Sequence, residues 1–231
     1  MKRIHGKFLI ALAIPVMVAA VPSVTFATCV NGVPQSTTWD PSVRVPRTAK
    51  IGAGTDIGPN VSIGGYVRIG MCGKIGLDGQ GVAIGRRARL GDGVEITGNS
   101  RVGSSGKVGD SVIINGSKFN ANANIGAGST ISAGSFGSNV KVGDNSTITG
   151  SSLGTYVRVG NGGTITGSSL GYSSHYGDGV TVDNGSKIGS YSNVDSLVHI
   201  YNNVTVGYSS HICTDVAAGM YLVSNTKYGC Y

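Results

Sequence analysis

From Ile51 onward an aliphatic residue recurs every six positions: IGAGTD, IGPNVS, IGGYVR and IGMCGK follow one another without a break. Glycine usually comes next, a small or β-branched residue stands four places after the aliphatic one, and the sixth place is free. Side chains on a strand alternate between its two faces. The aliphatic and the fifth-place residues therefore share the inside, and the sixth, between them, points out. Each hexapeptide reads as a short strand plus a corner, and three close one triangular coil whose aliphatic side chains stack on those of the next. The inward positions begin Ile51, Ile57, Ile63 and continue in three columns through Ile148, Leu153 and Val159 to Val206, Ile212 and Ala218. Two irregularities keep the register. Three extra residues loop out around Asp78 to Gly81, and from Phe119 to Leu170 the steps INGSKF, ISAGSF and ITGSSL each drop one residue, shortening the coil to 17.

This repeat resembles that of the hexapeptide-repeat superfamily, and the match spans residues 51–218. The resemblance implies an all-β, single-stranded left-handed parallel β-helix, a triangular solenoid of about nine to ten coils. At about 4.8 Å per rung the rod is about 45 Å long. Residues 28–50, with Trp39, and 219–231, with Tyr221, Leu222 and Tyr228, show no repeat and are expected to be caps that cover the end coils.

Composition adds the compartment. The chain opens MKRIHGKFLIALAIPVMVAAVPSVTFATC, a basic start followed by an apolar run from Phe8 to Ala20 and small residues up to Ala27. This reads as a signal peptide, residues 1–27. The run is too short, and too interrupted by Pro15 and Pro22, for a membrane anchor. Loss of Lys2, Arg3 and Lys7 lowers the formal charge from +7 to +4, too little to mark a nucleic-acid binder. The expected location is secreted, periplasmic or at the cell surface. Four cysteines in an exported chain favour disulfides over metal ligands. Three connectivities are open, and Cys29 with Cys72 and Cys213 with Cys230 is preferred because each pair closes one end.

The sixth positions form outward columns. On the first face Lys50, Arg68, Arg89, Lys107, Asn124, Lys141, Arg158, His175, Asn193 and His211 make a basic ladder. The sequence GYSSH occurs at 171–175 and again at 207–211, and its 36-residue interval is two coils, so His175 and His211 belong to that ladder. Two rungs separate them by about 9 to 10 Å, too far for both to ligate one zinc. His199 falls on the second face. The γ-class carbonic anhydrases of the superfamily share a histidine pair at this interval, but their second pair, H-x4-H, is missing here. The superfamily's acyltransferases use one histidine as general base. His175 and His211 are the candidates, and the sequence identifies no carboxylate beside either. No catalytic residue, metal site or cofactor is assigned.

On the second face the ladder Thr130, Thr147, Thr164, Thr181 includes the triplets Thr147-Ile148-Thr149 and Thr164-Ile165-Thr166. These resemble the T-x-T array of insect antifreeze β-helices, although threonine also suits any strand ladder. The third face, with Ser62, Arg101, Lys118, Ser135, Ser152, Ser169, Lys187 and Thr205, is polar and carries no evident chemistry. The expectation is an exported, non-enzymatic solenoid with a structural, adhesive or surface-binding role. Its partners are other copies of itself or an anionic surface polymer along Arg68, Arg89, Lys107, Lys141, Arg158, His175 and His211. An ice-binding protein and a hexapeptide-type enzyme are the alternatives.

Overall fold

The computed structural model describes residues 36–231, so the segment expected to be a signal peptide and Cys29 lie outside the described residues. What is described is a left-handed solenoid of about 11 turns built from strands of two or three residues. They stack into three parallel sheets of 10, 10 and 11 strands. Except at their end strands, the sheets each collect every third strand, and that connectivity is what a triangular coil requires. The first face runs from Lys50–Ile51 to Lys227–Tyr228, the second from Thr38–Trp39 to His199–Ile200, and the third from Val61–Ile63 to Tyr221–Leu222. The shortened coils fall where the sequence places them, with Lys118 opposite Ser135 and Ser152 opposite Ser169.

The expected alternation holds along the solenoid. Ile148 and Ile165 are fully buried while Thr147, Thr149, Thr164 and Thr166 are exposed. Where Phe119 and Phe136 replace smaller aliphatics in one inward column, their rings stack at 4.4 Å between centroids. The fifth-place residues also face in. Where they are serine, the hydroxyls are satisfied by the neighbouring coil: Ser129 Oγ donates to the Gly143 carbonyl (3.0 Å) and accepts from the Ser146 N–H (3.2 Å). Ser146 Oγ repeats the pattern on Gly160 (3.1 Å). Tyr176 is the exception. Its buried hydroxyl lacks a hydrogen-bond partner among the described residues. Burial pushes its pKa up, and the nearby Ser174 hydroxyl offsets little of this because Ser174 spends its proton on the Gly189 carbonyl.

Both ends depart from the sequence reading. Strands continue beyond the repeat: Thr38–Trp39 pairs with Asp56–Ile57, Tyr221–Leu222 with Thr205–Val206, and Lys227–Tyr228 with His211–Ile212. The flanking segments thus add rungs to the sheets they were expected only to cover. Ala218 is exposed, not inward. Val216 takes the inward place, bridging to Ile200 and fully buried, because the last coil shortens and brings the next aliphatic residue two positions early. Asp215 rather than Ala217 then follows His199 up the second face and accepts the His199 N–H through Oδ1 (2.7 Å). Cys213 and Cys230 form the expected disulfide, which ties the last strand to the coil below it. Cys72 is also disulfide-bonded, and its expected partner, Cys29, is outside the described residues.

Candidate functional site

The basic ladder is a physical column. Lys50, Arg68, Arg89, Lys107, Asn124, Lys141, Arg158, His175, Asn193 and His211 are register partners on successive rungs of the first face. Arg68, Arg89, Lys107, Lys141 and Arg158 are exposed, and none makes an ion pair within the described residues. Adjacent rungs are about 4.8 Å apart along the backbone, so unpaired cations on neighbouring rungs, as at Arg68, Arg89 and Lys107 or at Lys141 and Arg158, repel one another.

Between the ladder and the adjoining corner lies an open groove of about 740 Å3, lined by Arg89, Lys107, Lys141, Arg158 and His175 together with Asp110 and Asp144. The two carboxylates neutralise it only in part, two negative charges against four positive ones. They cap the corner, where the Asp110 carboxylate accepts the Asp92 N–H (2.8 Å) and the Asp144 carboxylate accepts the Ala127 N–H (2.8 Å). Asp92 and Asp178 do the same for Met71 and Asn161. The acidic residues nearest the ladder are thus engaged with backbone, and four Lys and Arg side chains face two carboxylates along the groove.

The histidines gain partners that the sequence did not reveal. His211 Nε2 donates to Asp195 (2.8 Å), and His199 Nε2 donates to Asp183 (2.8 Å) while its ring stacks on Tyr201 at 3.8 Å. In each case the carboxylate lies 16 residues earlier, in the slot after an inward residue on the coil below. Asp195 interrupts a run of glycines, Gly126, Gly143, Gly160 and Gly177, that occupies this slot on lower coils, and that break is the signal a reading of sixth positions alone passes over. A carboxylate can only accept, so the proton sits on Nε2 and Nδ1 keeps its lone pair when the ring is neutral. His175 stands two rungs from His211 with Asn193 between them and has no such partner among the described residues.

His211, Cys213 and Cys230 bring ligand-type atoms close together, but both sulfurs are consumed by the disulfide. They offer no thiolate to a metal.

The threonine ladder is also in register. Thr130, Thr147, Thr164 and Thr181 pair in succession, as do Thr149 and Thr166. The exposed part of this array is two rungs deep, and Ile113, also exposed, precedes it in the column. No helix among the described residues is long and apolar enough to cross a membrane.

The chain matches no family model and no curated protein. Its fold is similar to solved structures of UDP-N-acetylglucosamine acyltransferases. That from Bacteroides fragilis is 18% identical, with a TM-score of 0.37, over 79% of this chain and 69% of that one. That from Francisella novicida is 19% identical, with a TM-score of 0.27, over 80% and 62%. The acetyltransferase domain of PglB from Neisseria gonorrhoeae is 17% identical, with a TM-score of 0.31, over 65% and 55%. The match thus spans less than two thirds of the Francisella and Neisseria chains. All three are named for acyl or acetyl transfer, the class of the enzyme alternative, and nothing in these likenesses supports the non-enzymatic reading. At such identities and TM-scores they speak to the repeat fold alone.

Proposed function

We propose that the protein is an anion-binding solenoid that holds an extended polyanion along its first face, at or outside the cell surface. The observation that carries this reading is the groove beside the ladder, in which Arg89, Lys107, Lys141 and Arg158 stand on one line without ion-pair partners among the described residues. A row of like charges set at regular intervals by an ordered backbone favours an extended polymer of opposite charge, although each exposed side chain still loses rotamer freedom on binding. Export is supported by the signal-type N-terminus and by a disulfide tying down the last coil.

The test is retention on immobilised polyphosphate. The wild type is expected to bind at low salt and to elute as ionic strength rises past the range where the Debye length falls below about 10 Å. Changing Arg68, Arg89 and Arg158 together to Ser should weaken binding at least about tenfold, since each exposed charge contributes up to about 1 kcal/mol. All three side chains are exposed, so the solenoid's strand spectrum should not change. Unaltered retention of that variant would show the ladder to be only a solvated face.

A second reading, group transfer by a histidine base, is favoured by the His211–Asp195 pair, whose carboxylate orients the ring and leaves Nδ1 as a base. Alanine at His175, His199 and His211, assayed for acyl transfer and hydration, separates the two. Loss of a measurable turnover supports the enzyme, whereas polyphosphate retention depends on the arginines.

A further inference from the structure

Sequence reasoning on sixth positions passed over the corner that joins the third face to the first. On consecutive coils this corner carries Tyr156, Tyr172, Tyr191 and Tyr208, which are 50%, 42%, 62% and 57% exposed. The first three touch edge to face, with centroids 5.6 Å apart between Tyr156 and Tyr172 and 5.4 Å between Tyr172 and Tyr191, and Tyr208 stands one coil further on. Exposed aromatic rings in a contiguous row mark a contact surface more often than a passive one. Edge-to-face contacts fix the rings relative to one another before any ligand arrives.

Backbone geometry sharpens the point. Tyr156 and Tyr191 occupy the left-handed region, with φ of 63° and 60°. The same corner takes this φ on the other coils too, at Arg87, Ser105, Asn122, Asn139, Ser173 and Ser209, and asparagine is the residue among them that fits it with least strain. The angle is thus a property of the corner, which displays whatever residue it carries outward, and on these coils that residue is aromatic.

The corner is continuous with the basic face. A recess of about 440 Å3 is bounded by Tyr156 and Tyr172 on one side and by Arg158 and His175 on the other, and the same arginine and histidine line the ladder groove. We propose that the polyanion is an acidic polysaccharide, its sugar rings seated on the tyrosine corner and its carboxylate or sulfate groups held by Arg158 and the ladder. Two features select this class. Aromatic faces attract the weakly positive C–H groups of a pyranose, which polyphosphate and acidic peptides do not offer in a row. The rungs, about 4.8 Å apart, also step at close to the advance per sugar of an extended chain. The proposal rests on the anion-binding reading of the groove and adds the sugar platform to it.

The experiment compares Tyr156→Asn, Tyr172→Ser and Tyr191→Asn in one variant with the wild type. These changes recreate corner residues the chain already uses, and unchanged thermal unfolding confirms the fold. Binding is measured to polygalacturonate, to its fully methyl-esterified neutral form, and to polyphosphate. The variant is expected to bind polygalacturonate about tenfold or more weakly, one tenfold step being about 1.4 kcal/mol, and to bind polyphosphate as the wild type does. The wild type should prefer the acid to the ester. Equal binding of polygalacturonate by variant and wild type would overturn the tyrosine platform and leave the anion-binding groove standing. Equal wild-type binding of acid and ester would overturn the acidic class. Failure of the wild type to bind either polymer would overturn both the groove reading and this one, whereas binding of polyphosphate without polygalacturonate would overturn this one alone.

Discussion

Ile165→Asp is expected to abolish cooperative folding of the middle coils. Ile165 is fully buried, with Ile148 on the rung before it and Val182 on the rung after, in a core only one triangular coil wide. A carboxylate placed there must stay ionised without a partner or take up a proton, and in either form it leaves the methylenes of isoleucine missing. Burial of an unpartnered polar group together with the lost apolar contact costs about 5 kcal/mol, the whole of the roughly 5–15 kcal/mol that holds an ordinary domain together at its low end. A solenoid has only nearest-neighbour interfaces, so a broken coil uncouples the coils on either side. Thermal melting followed by far-ultraviolet circular dichroism should lose its single transition, whereas Ile165→Val should cost about 1 kcal/mol. Thr164→Asp, one residue away and exposed, should shift stability by no more than about 0.5 kcal/mol. If Ile165→Asp and Thr164→Asp melt alike, the alternation of inward and outward places is wrong.

That contrast shows why the fold was legible. A period of six with aliphatic side chains in phase leaves one way to bury them all, and each copy of the hexapeptide repeats the instruction. Legibility ends where the repetition does. Val216 replaced the expected Ala218 because the last coil drops two residues, and a strict six-residue count from Ile212 steps past the valine to an alanine with no glycine directly after Ile212 to mark the change. The end strands at 38–39, 221–222 and 227–228 lack the motif and are held as strands by pairing with the coil beside them, a tertiary effect that the local sequence does not encode.

The candidate site was legible in the same measure. Arg68 through His211 follow from the register alone, since the sixth place always faces out. The carboxylates that partner the histidines did not follow, because Asp183 and Asp195 sit in the second place of the preceding coil, and only the stacking of that coil brings them within 2.8 Å. The tyrosine corner was hidden for a different reason. Tyr156 and Tyr191 take the second residue of the corner and Tyr172 and Tyr208 the first, so their spacings are uneven although their coils are consecutive. A column that alternates between two adjacent slots has no fixed period and becomes visible only in three dimensions.

Gly137→Ala is expected to destabilise the solenoid by about 3 kcal/mol or more, a large effect for one methyl group. A Cβ at Gly137 would lie 2.5 Å from the backbone nitrogen of Thr155 and 2.7 Å from the carbonyl carbon of Gly154, atoms of the next coil that cannot rotate away. Relief requires the coils to separate, and separation lengthens the inter-coil hydrogen bond from the Gly137 N–H to the Leu153 carbonyl, now 2.8 Å. Loss of that bond would leave a partly covered backbone donor unpaired. Gly162 is the control. Its φ is 65°, but a Cβ there meets nothing within 4 Å, and asparagine accepts the same backbone region at Asn145, the corresponding corner one coil earlier. Gly162→Asn should therefore change stability by less than about 1 kcal/mol. Urea unfolding of the two variants separates a glycine kept for close approach of coils from one kept for its backbone angle, and equal midpoints would show that the coils are not stacked as closely as these contacts require.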